Sequence, residues 1–360
     1  MKPVLLVTGH APSYRLGAFQ RLHEREDVEL ALFGGSLKHG GGATPPDPPF
    51  PHRHVREHEL YGLAAGGRYR AVVVPTGGRV AMGAAWAGAR RARVPVILWA
   101  SLWAHPRSVA HAFTYLPLRR LYRSADAVVT YGPHVSAYVR ARGARNVHEA
   151  PQSVDNVFWS SSEVSAPEEP WPVDATVKFL FAGRPAREKG LGVLVEAWSR
   201  SGLQAPTAAL VLVGVGSTPP WVPAGGAVVG LDPVPPEQLR NFYAAADVLV
   251  LPSIPTRTFR EPWGLVANEA MNRGLPVIAS DAVGAAAGGL VRDGRNGLVV
   301  PAGDAIALAA ALRRLAGDAS LRARMGDAAR EDVGAYTYEA WAQGFSLALS
   351  DLGLSRGAVR

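Results

Sequence analysis

Three cations and a pair of acids, all in the second half of the chain, are the residues best suited to chemistry. Gly183-Arg184-Pro185-Ala186-Arg187-Glu188-Lys189-Gly190 follows an apolar run and opens a helical pattern, so its side chains project from the carboxyl end of a strand. Arginine grips phosphate oxygens with two parallel N–H bonds and lysine supplies a compact positive charge, so Arg184 and Lys189 suit a diphosphate. Only four of the 38 basic residues are lysines, which singles out Lys189. A solvated basic loop is the plainer alternative. Further on, Arg260-Glu261-Pro262-Trp263-Gly264-Leu265-Val266-Ala267-Asn268-Glu269-Ala270-Met271 reads as a loop that becomes a helix at Gly264. The first amides of a helix have no internal partner and can face an anion there. Glu261 and Glu269 lie on either side, with seven residues between them. Two acids flanking a diphosphate fit a nucleotide sugar, one on the sugar hydroxyls and the other on the ribose; the alternative is a capping carboxylate and a surface glutamate.

Other chemistries are missing from the chain. There is no phosphate-binding G-x-x-x-x-G-K-[ST], no G-x-S-x-G, no H-E-x-x-H and no complete G-x-G-x-x-G, because Gly214-Val215-Gly216 runs into Ser217-Thr218-Pro219. No D-x-D pair exists to hold a metal against a diphosphate, and the absence of cysteine excludes disulfides, thiolate catalysis and Cys-ligated metals. The cluster His52, His54 and His58 invites a metal, but Arg53 and Arg56 beside it oppose a cation, and it reads as a loop or strand face. No metal is therefore expected.

The elements that must position these groups alternate. Apolar runs at 4–8, 29–33, 71–75, 94–100, 127–131 and 147–151 are each followed by a helical pattern, which implies parallel βαβ units. The rhythm breaks at 160–172, rich in small polar residues and proline, and resumes with runs at 177–182, 208–213, 227–229, 248–251, 276–279 and 298–300. Helices are expected near Gly190, Pro236, Gly264, Ala305 and Ala319. Two doubly wound α/β domains, 1–165 and 166–336, follow, with a helix in 337–360 packing back on the first. Open α/β sheets bind ligands at their carboxyl ends, so a cleft between the domains is the expected site. The Gly/Pro-rich stretch 34–51 reads as a long loop beside it.

Composition agrees with a globular protein of 360 residues, 48% apolar and 19% charged. No run of 18 apolar residues is present and the start reads as a strand, so a cytoplasmic protein is expected. The net charge of +8 resides in the first half. An anionic partner follows, whether a lipid surface or a phosphorylated substrate; nucleic acid is disfavoured because the basic residues are dispersed and not interleaved with aromatics. Arg119, Arg120 and Arg123, with Leu116, Leu118, Leu121 and Tyr122, form a basic amphipathic stretch. It is either a helix with its apolar face in the core or a membrane-docking surface.

The ordered series Phe181-Ala182-Gly183-Arg184, Lys189-Gly190, Leu212-Val213-Gly214-Val215-Gly216, Val229-Gly230-Leu231 and Tyr243-Ala244-Ala245-Ala246-Asp247 resembles glycosyltransferase family 4. It continues through Glu261-Pro262-Trp263-Gly264, Glu269-Ala270-Met271, Gly274-Leu275-Pro276-Val277-Ile278-Ala279-Ser280 and Gly294-Arg295-Asn296-Gly297-Leu298, covering most of 177–335. The resemblance implies a GT-B fold, two Rossmann-like domains facing a cleft, and a retaining transferase that uses a UDP-, GDP- or dTDP-sugar with no cofactor. It implies that Arg184, Lys189, Gly264 and Leu265 hold the diphosphate, Glu261 the sugar, Glu269 the ribose, and that Leu231 lies near the base. In the first half it implies a histidine near the sugar's 6-hydroxyl, for which His105 is the candidate and His111 the competitor. Gly17 follows the first strand and is expected to open a helix whose amides face the acceptor side of the diphosphate, although this sequence departs there from the family's frequent paired glycines. Family members acting on lipid-linked acceptors often dock on membranes. The rival readings are a nucleotide-sugar 2-epimerase, a non-catalytic nucleotide-sugar-binding partner subunit and, more distantly, an NAD-dependent oxidoreductase.

Overall fold

A computed structural model describes residues 1–34, 47–161, 171, 174–216 and 227–356. The chain divides into two units, one of Met1–Asp155 with Thr337–Arg360 and one of Asn156–Tyr336.

The first unit is built from β1 (Val4–Thr8), α1 (Ser13–Glu26), β2 (Val28–Leu32), β3 (His52–His54), α2 (Glu59–Ala65), β4 (Ala71–Pro75), α3 (Arg79–Arg91), β5 (Val96–Ala100), α4 (Val109–Ser124), β6 (Ala127–Thr130), α5 (Pro133–Arg140) and β7 (Val147–Glu149). Its sheet runs β3-β2-β1-β4-β5-β6-β7, all parallel. The second unit holds α6 (Asn156–Ser160), β8 (Val177–Ala182), a single turn at Arg187–Lys189, α7 (Leu191–Ser201), β9 (Ala208–Val213), β10 (Val228–Leu231), α8 (Pro236–Ala245) and β11 (Val248–Leu251). It continues with α9 (Val266–Asn272), β12 (Val277–Ser280), α10 (Gly284–Ala287), β13 (Gly297–Val300), α11 (Ala305–Gly317) and α12 (Ala319–Val333). Its sheet, β10-β9-β8-β11-β12-β13, is also parallel throughout.

Helices on both faces of a parallel sheet leave its strands no solvent face, so the strands read as unbroken apolar runs. Ala208-Ala209-Leu210-Val211-Leu212-Val213 is buried at every position. Against it, α11 turns Leu308, Leu312 and Leu315 inward at helical spacing, where they share a core with Leu194, Ala197 and Trp198 of α7. In each sheet the strand order reverses once, between β1 and β4 and between β8 and β11. Loops leaving adjacent strands at such a point diverge to opposite faces and open a crevice at the carboxyl edge.

The last helix, α13 (Tyr338–Asp351), belongs to the first unit. Trp341, Ala342, Phe345 and Leu349 enter the core that contains Phe19 and Trp99, and the Trp341 ring meets Phe19 and Trp99 edge-on at 5.6 Å. Arg70, buried against Glu26 at 3.0 Å, also donates to the Leu354 carbonyl and ties down the chain after the helix.

One expectation shifts. The unit boundary falls at 155/156, ahead of 165/166, because α6 joins the second unit: Trp159 meets Tyr243 edge-on at 5.6 Å and Asn272 donates to Asn156 at 3.0 Å. Most of the 160–172 break (residues 162–170 and 172) lies outside the described residues. Of the stretch expected as a loop over 34–51, residues 35–46 also lie outside the described set, and the rest is irregular and leads into β3, a short edge strand that realises the strand-face reading of the His52 and His54 cluster.

Candidate donor site in the second unit

The strand reversal between β8 and β11 brings together the two loops that carried the expected cations and acids. After β8 the chain crosses Gly183, turns through Arg187–Lys189 and enters α7 at Gly190. A Cβ at Gly190 would lie 2.0 Å from the Pro252 carbonyl oxygen in the loop after β11, and the backbone there has φ +69°. Only glycine allows both the close approach and the left-handed conformation. The Ile254 amide donates to the Glu188 carbonyl at 2.9 Å and fastens the two loops.

Lys189 Nζ consequently donates to Glu261 Oε2 at 2.6 Å, across 72 residues of sequence. Both side chains are largely shielded, at 21% and 11% exposure. The Ser253 hydroxyl, itself buried, donates to the same carboxylate oxygen at 3.3 Å. Ser253 is fixed in turn by the Ser280 hydroxyl, which donates to its carbonyl. The Glu261 backbone bridges to Val283 as an isolated pair, and Gly284 lets the Pro262 carbonyl approach to where its own Cβ would stand.

From there the chain passes Gly264, at φ +96°, into the seven residues of α9. No side chain caps this helix. Trp263 Nε1 donates to Asn268 Oδ1 at 2.7 Å, pinning the loop to the helix it opens. Glu269 points toward α8, where the buried Tyr243 hydroxyl donates to its Oε2 at 2.8 Å. Burial pushes the Glu269 carboxyl up to about 7, and the Tyr243 bond opposes that rise. Tyr243 is itself held well above its ordinary value by burial and by the carboxylate it faces.

The other expected residues stand apart from this pair. Arg184 lies on the same loop but is 64% exposed, with Glu188 at 4.0 Å as its ion-pair neighbour. Leu231 ends β10, two strands from β8, and its carbonyl accepts from the amides of Gly214, Val215 and Gly216 at 3.0–3.1 Å. His105 lies in the first unit. Its Nε2 donates to the His111 carbonyl at 2.9 Å, the Tyr138 hydroxyl is 3.5 Å from Nδ1, and Tyr115 packs edge-on at 5.1 Å. Ser108 caps α4, its hydroxyl accepting from the His111 amide and lying 2.6 Å from His111 Nδ1.

Gly17 is corrected. It does not open a helix: α1 begins at Ser13, one turn earlier, and a Cβ at Gly17 would fall 2.2 Å from the Tyr338 ring. The Tyr338 hydroxyl donates to the Tyr14 carbonyl at 3.1 Å, so this glycine makes room for α13. On α4, Leu118 and Tyr122 face the core while Phe113 and Leu116 are 79% and 68% exposed beside exposed Arg119, Arg120 and Arg123. Sequence reasoning gave neither Ser253 nor Tyr243 a role. Tyr243 falls at helical spacing among apolar residues and reads as core; its hydroxyl is the part that reaches Glu269.

Two parallel α/β units of this topology define the GT-B fold, which solved structures share over nearly the whole chain. Anabaena HepE in complex with UDP covers 98% of this chain and 100% of its own, with a TM-score of 0.75 at 18% identity. Sucrose-phosphate synthase from Thermosynechococcus elongatus covers 98% and 99%, with a TM-score of 0.71 at 21% identity. Residues 176–318, which contain the Lys189, Glu261 and Glu269 site, match the model of the family described as Glycosyl transferases group 1. Among curated relatives, a D-inositol 3-phosphate glycosyltransferase of Corynebacterium diphtheriae is 43% identical over 116 residues, 31% of this chain and 25% of its own. One of Corynebacterium kroppenstedtii is 32% identical over 197 residues, 49% of this chain and 40% of its own. The chain thus spans well under half the length of these relatives.

Proposed function

We propose that the protein is a retaining glycosyltransferase that moves a sugar from a nucleoside diphosphate to an acceptor hydroxyl of a glycan, glycolipid or natural product. The observation that carries this reading is the Lys189–Glu261 pair at the carboxyl edge of the second sheet, with the Tyr243-oriented Glu269 one helix away. Lysine there can bind a diphosphate and still hold the acid that faces the sugar, and a carboxylate further into the helix suits ribose hydroxyls. The HepE complexes with UDP and with UDP-glucose favour a uridine donor among UDP-, GDP- and dTDP-sugars.

In this reading Lys189, Arg184 and the backbone amides at Gly264 and Leu265 stabilise the charge that develops on the departing diphosphate. They would do so without a metal or other cofactor. The bond from the anomeric carbon to the β-phosphate oxygen breaks as the acceptor oxygen attacks from the same face, and the acceptor proton passes to the leaving phosphate. Ion pairing lowers the nucleophilicity of Glu261, which favours this front-face route over a covalent intermediate. Leu231 is assigned to the base and His105, from the first unit, to the transferred sugar.

The first unit is assigned the acceptor. Among the described residues no helix is long and apolar enough to cross a membrane. Exposed Phe113 and Leu116 beside three arginines suit a peripheral contact with an anionic bilayer, in keeping with a cytoplasmic enzyme that draws on nucleotide sugars.

The test is calorimetric binding of UDP, GDP, dTDP and their sugars with and without magnesium, followed by transfer assays against acceptor panels. Binding of one diphosphate that is lost in Glu269→Ala and Lys189→Ala, with sugar incorporated into an acceptor, is the expected result. Consumption of donor with no acceptor would instead indicate a 2-epimerase, and binding without turnover a partner subunit.

A further inference from the structure

The three histidines grouped by sequence do not stay together. His52 and His54, two apart on β3, share one face of the strand, whereas Arg53 points to the other face and pairs with Glu29 of β2. Arg53, one of the two arginines that argued against a cation, is thereby neutralised on the far side of the sheet. His58 precedes α2 and is exposed, outside the group. Its place is taken by Asp47, which the turn through Pro48 and Pro49 folds back over the strand.

Asp47 Oδ1 lies 3.1 Å from His54 Nε2 and 3.7 Å from His52 Nε2, and ligand atoms of the three residues all fall within 4.8 Å of one another. Ligands bound at 2.0–2.2 Å to a tetrahedral zinc ion stand about 3.3–3.6 Å apart, a spacing that the two Asp47 distances bracket. His52 Nδ1 faces the Phe50 carbonyl at 3.0 Å. A carbonyl can only accept, so Nδ1 carries a proton and Nε2, which faces Asp47, is the ring's metal-binding atom. This is the outer hydrogen bond that orients metal-ligating histidines. Phe50 is itself buried and stacks on His23 at 5.2 Å, which holds that carbonyl in place.

We propose that Asp47, His52 and His54 form a transition-metal site of the zinc type that clips the turn before β3 onto the edge strand of the first unit. Imidazole and carboxylate donors suit zinc, and two nitrogens with one carboxylate leave a fourth position for water. Binding exchanges the His54 Nε2 proton for the metal.

Calorimetric titration of the chelator-stripped full chain with Zn²⁺ tests this, with ring-nitrogen NMR as a second readout. One equivalent is expected, with affinity reduced at least about tenfold in Asp47→Asn and in His54→Ala, and binding lost in the His52→Ala/His54→Ala double variant. The His58→Ala variant should bind as wild type. The Nε2 resonances of His52 and His54 should shift while His52 Nδ1 stays protonated. All of these side chains except His52 are largely exposed, so the variants should fold, as circular dichroism would verify. Undiminished one-to-one binding in the double variant, shifts confined to other histidines, or no stoichiometric binding at all would overturn the proposal.

Discussion

The Tyr243 hydroxyl donates to Glu269 Oε2 at 2.8 Å, joining α8 to α9 beneath the candidate ribose contact. The bond aims the carboxylate and holds down a pKa that burial raises. Tyr243→Phe should weaken UDP binding by about tenfold, a loss of roughly 1.4 kcal/mol, close to the lower end for hydrogen bonds to charged groups. It should also move the pH midpoint of binding upward. Calorimetry across pH 5.5 to 8.5, a range of about three units spanning the Glu269 transition, would show both; unchanged affinity and midpoint would reduce the tyrosine to packing.

The wild-type pH dependence has a defined sign. A carboxylate accepts ribose hydroxyls better than its protonated form, so UDP affinity should fall as pH drops through about 7, the value to which burial raises Glu269. For stability the direction is opposite. The folded pKa lies above the unfolded one, so the contribution of Glu269 is fully present below about 4.5 and is lost as pH rises through about 7. Glu269→Gln should therefore gain melting temperature relative to wild type at pH 8 more than at pH 5, while binding UDP weakly at both; equal shifts at the two pH values would refute the assignment.

Breaking the Lys189–Glu261 pair separates folding from chemistry. Lys189→Met leaves a shielded carboxylate without its cation and should destabilise the unit by up to about 3 kcal/mol. Adding Glu261→Gln should recover most of that loss in chemical denaturation. Turnover should stay about 10²- to 10³-fold down in both, the scale of losing one preorganised charge contact.

Gly190 and Gly202 offer a matched comparison. Both have φ near +70°, but a Cβ would lie 2.0 Å from the Pro252 carbonyl at Gly190 and within 4 Å of nothing at Gly202. Gly202→Ala should cost about 1–2 kcal/mol, the left-handed penalty alone. Gly190→Ala must also part the two loops, and it should abolish UDP binding in calorimetry.

Two predictions concern the first unit. Trp341→Ala should remove about 3–5 kcal/mol, because the ring fills the core between Phe19 and Trp99. Flotation with anionic vesicles should recover wild type but not Phe113→Ser/Leu116→Ser, with melting temperatures unchanged since both residues are exposed.

Much of this could be read along the chain. Parallel strands buried on both faces leave continuous apolar runs, so β1, β4, β8, β9 and β11 were bounded to the residue, and the glycines and charged residues after β8 and around Gly264 marked the loops that carry the site. Those signals are local. What the sequence could not hold is which partner each charge takes, because strand order in a doubly wound sheet is not chain order. Tertiary structure alone set Lys189 against Glu261, gave Ser253 and Tyr243 their acids, pressed Gly17 against Tyr338, and replaced His58 by Asp47 beside His52 and His54. Each of these rests on a distance of a few ångströms between residues that meet only when sheets and turns close, and no spacing along a chain encodes that.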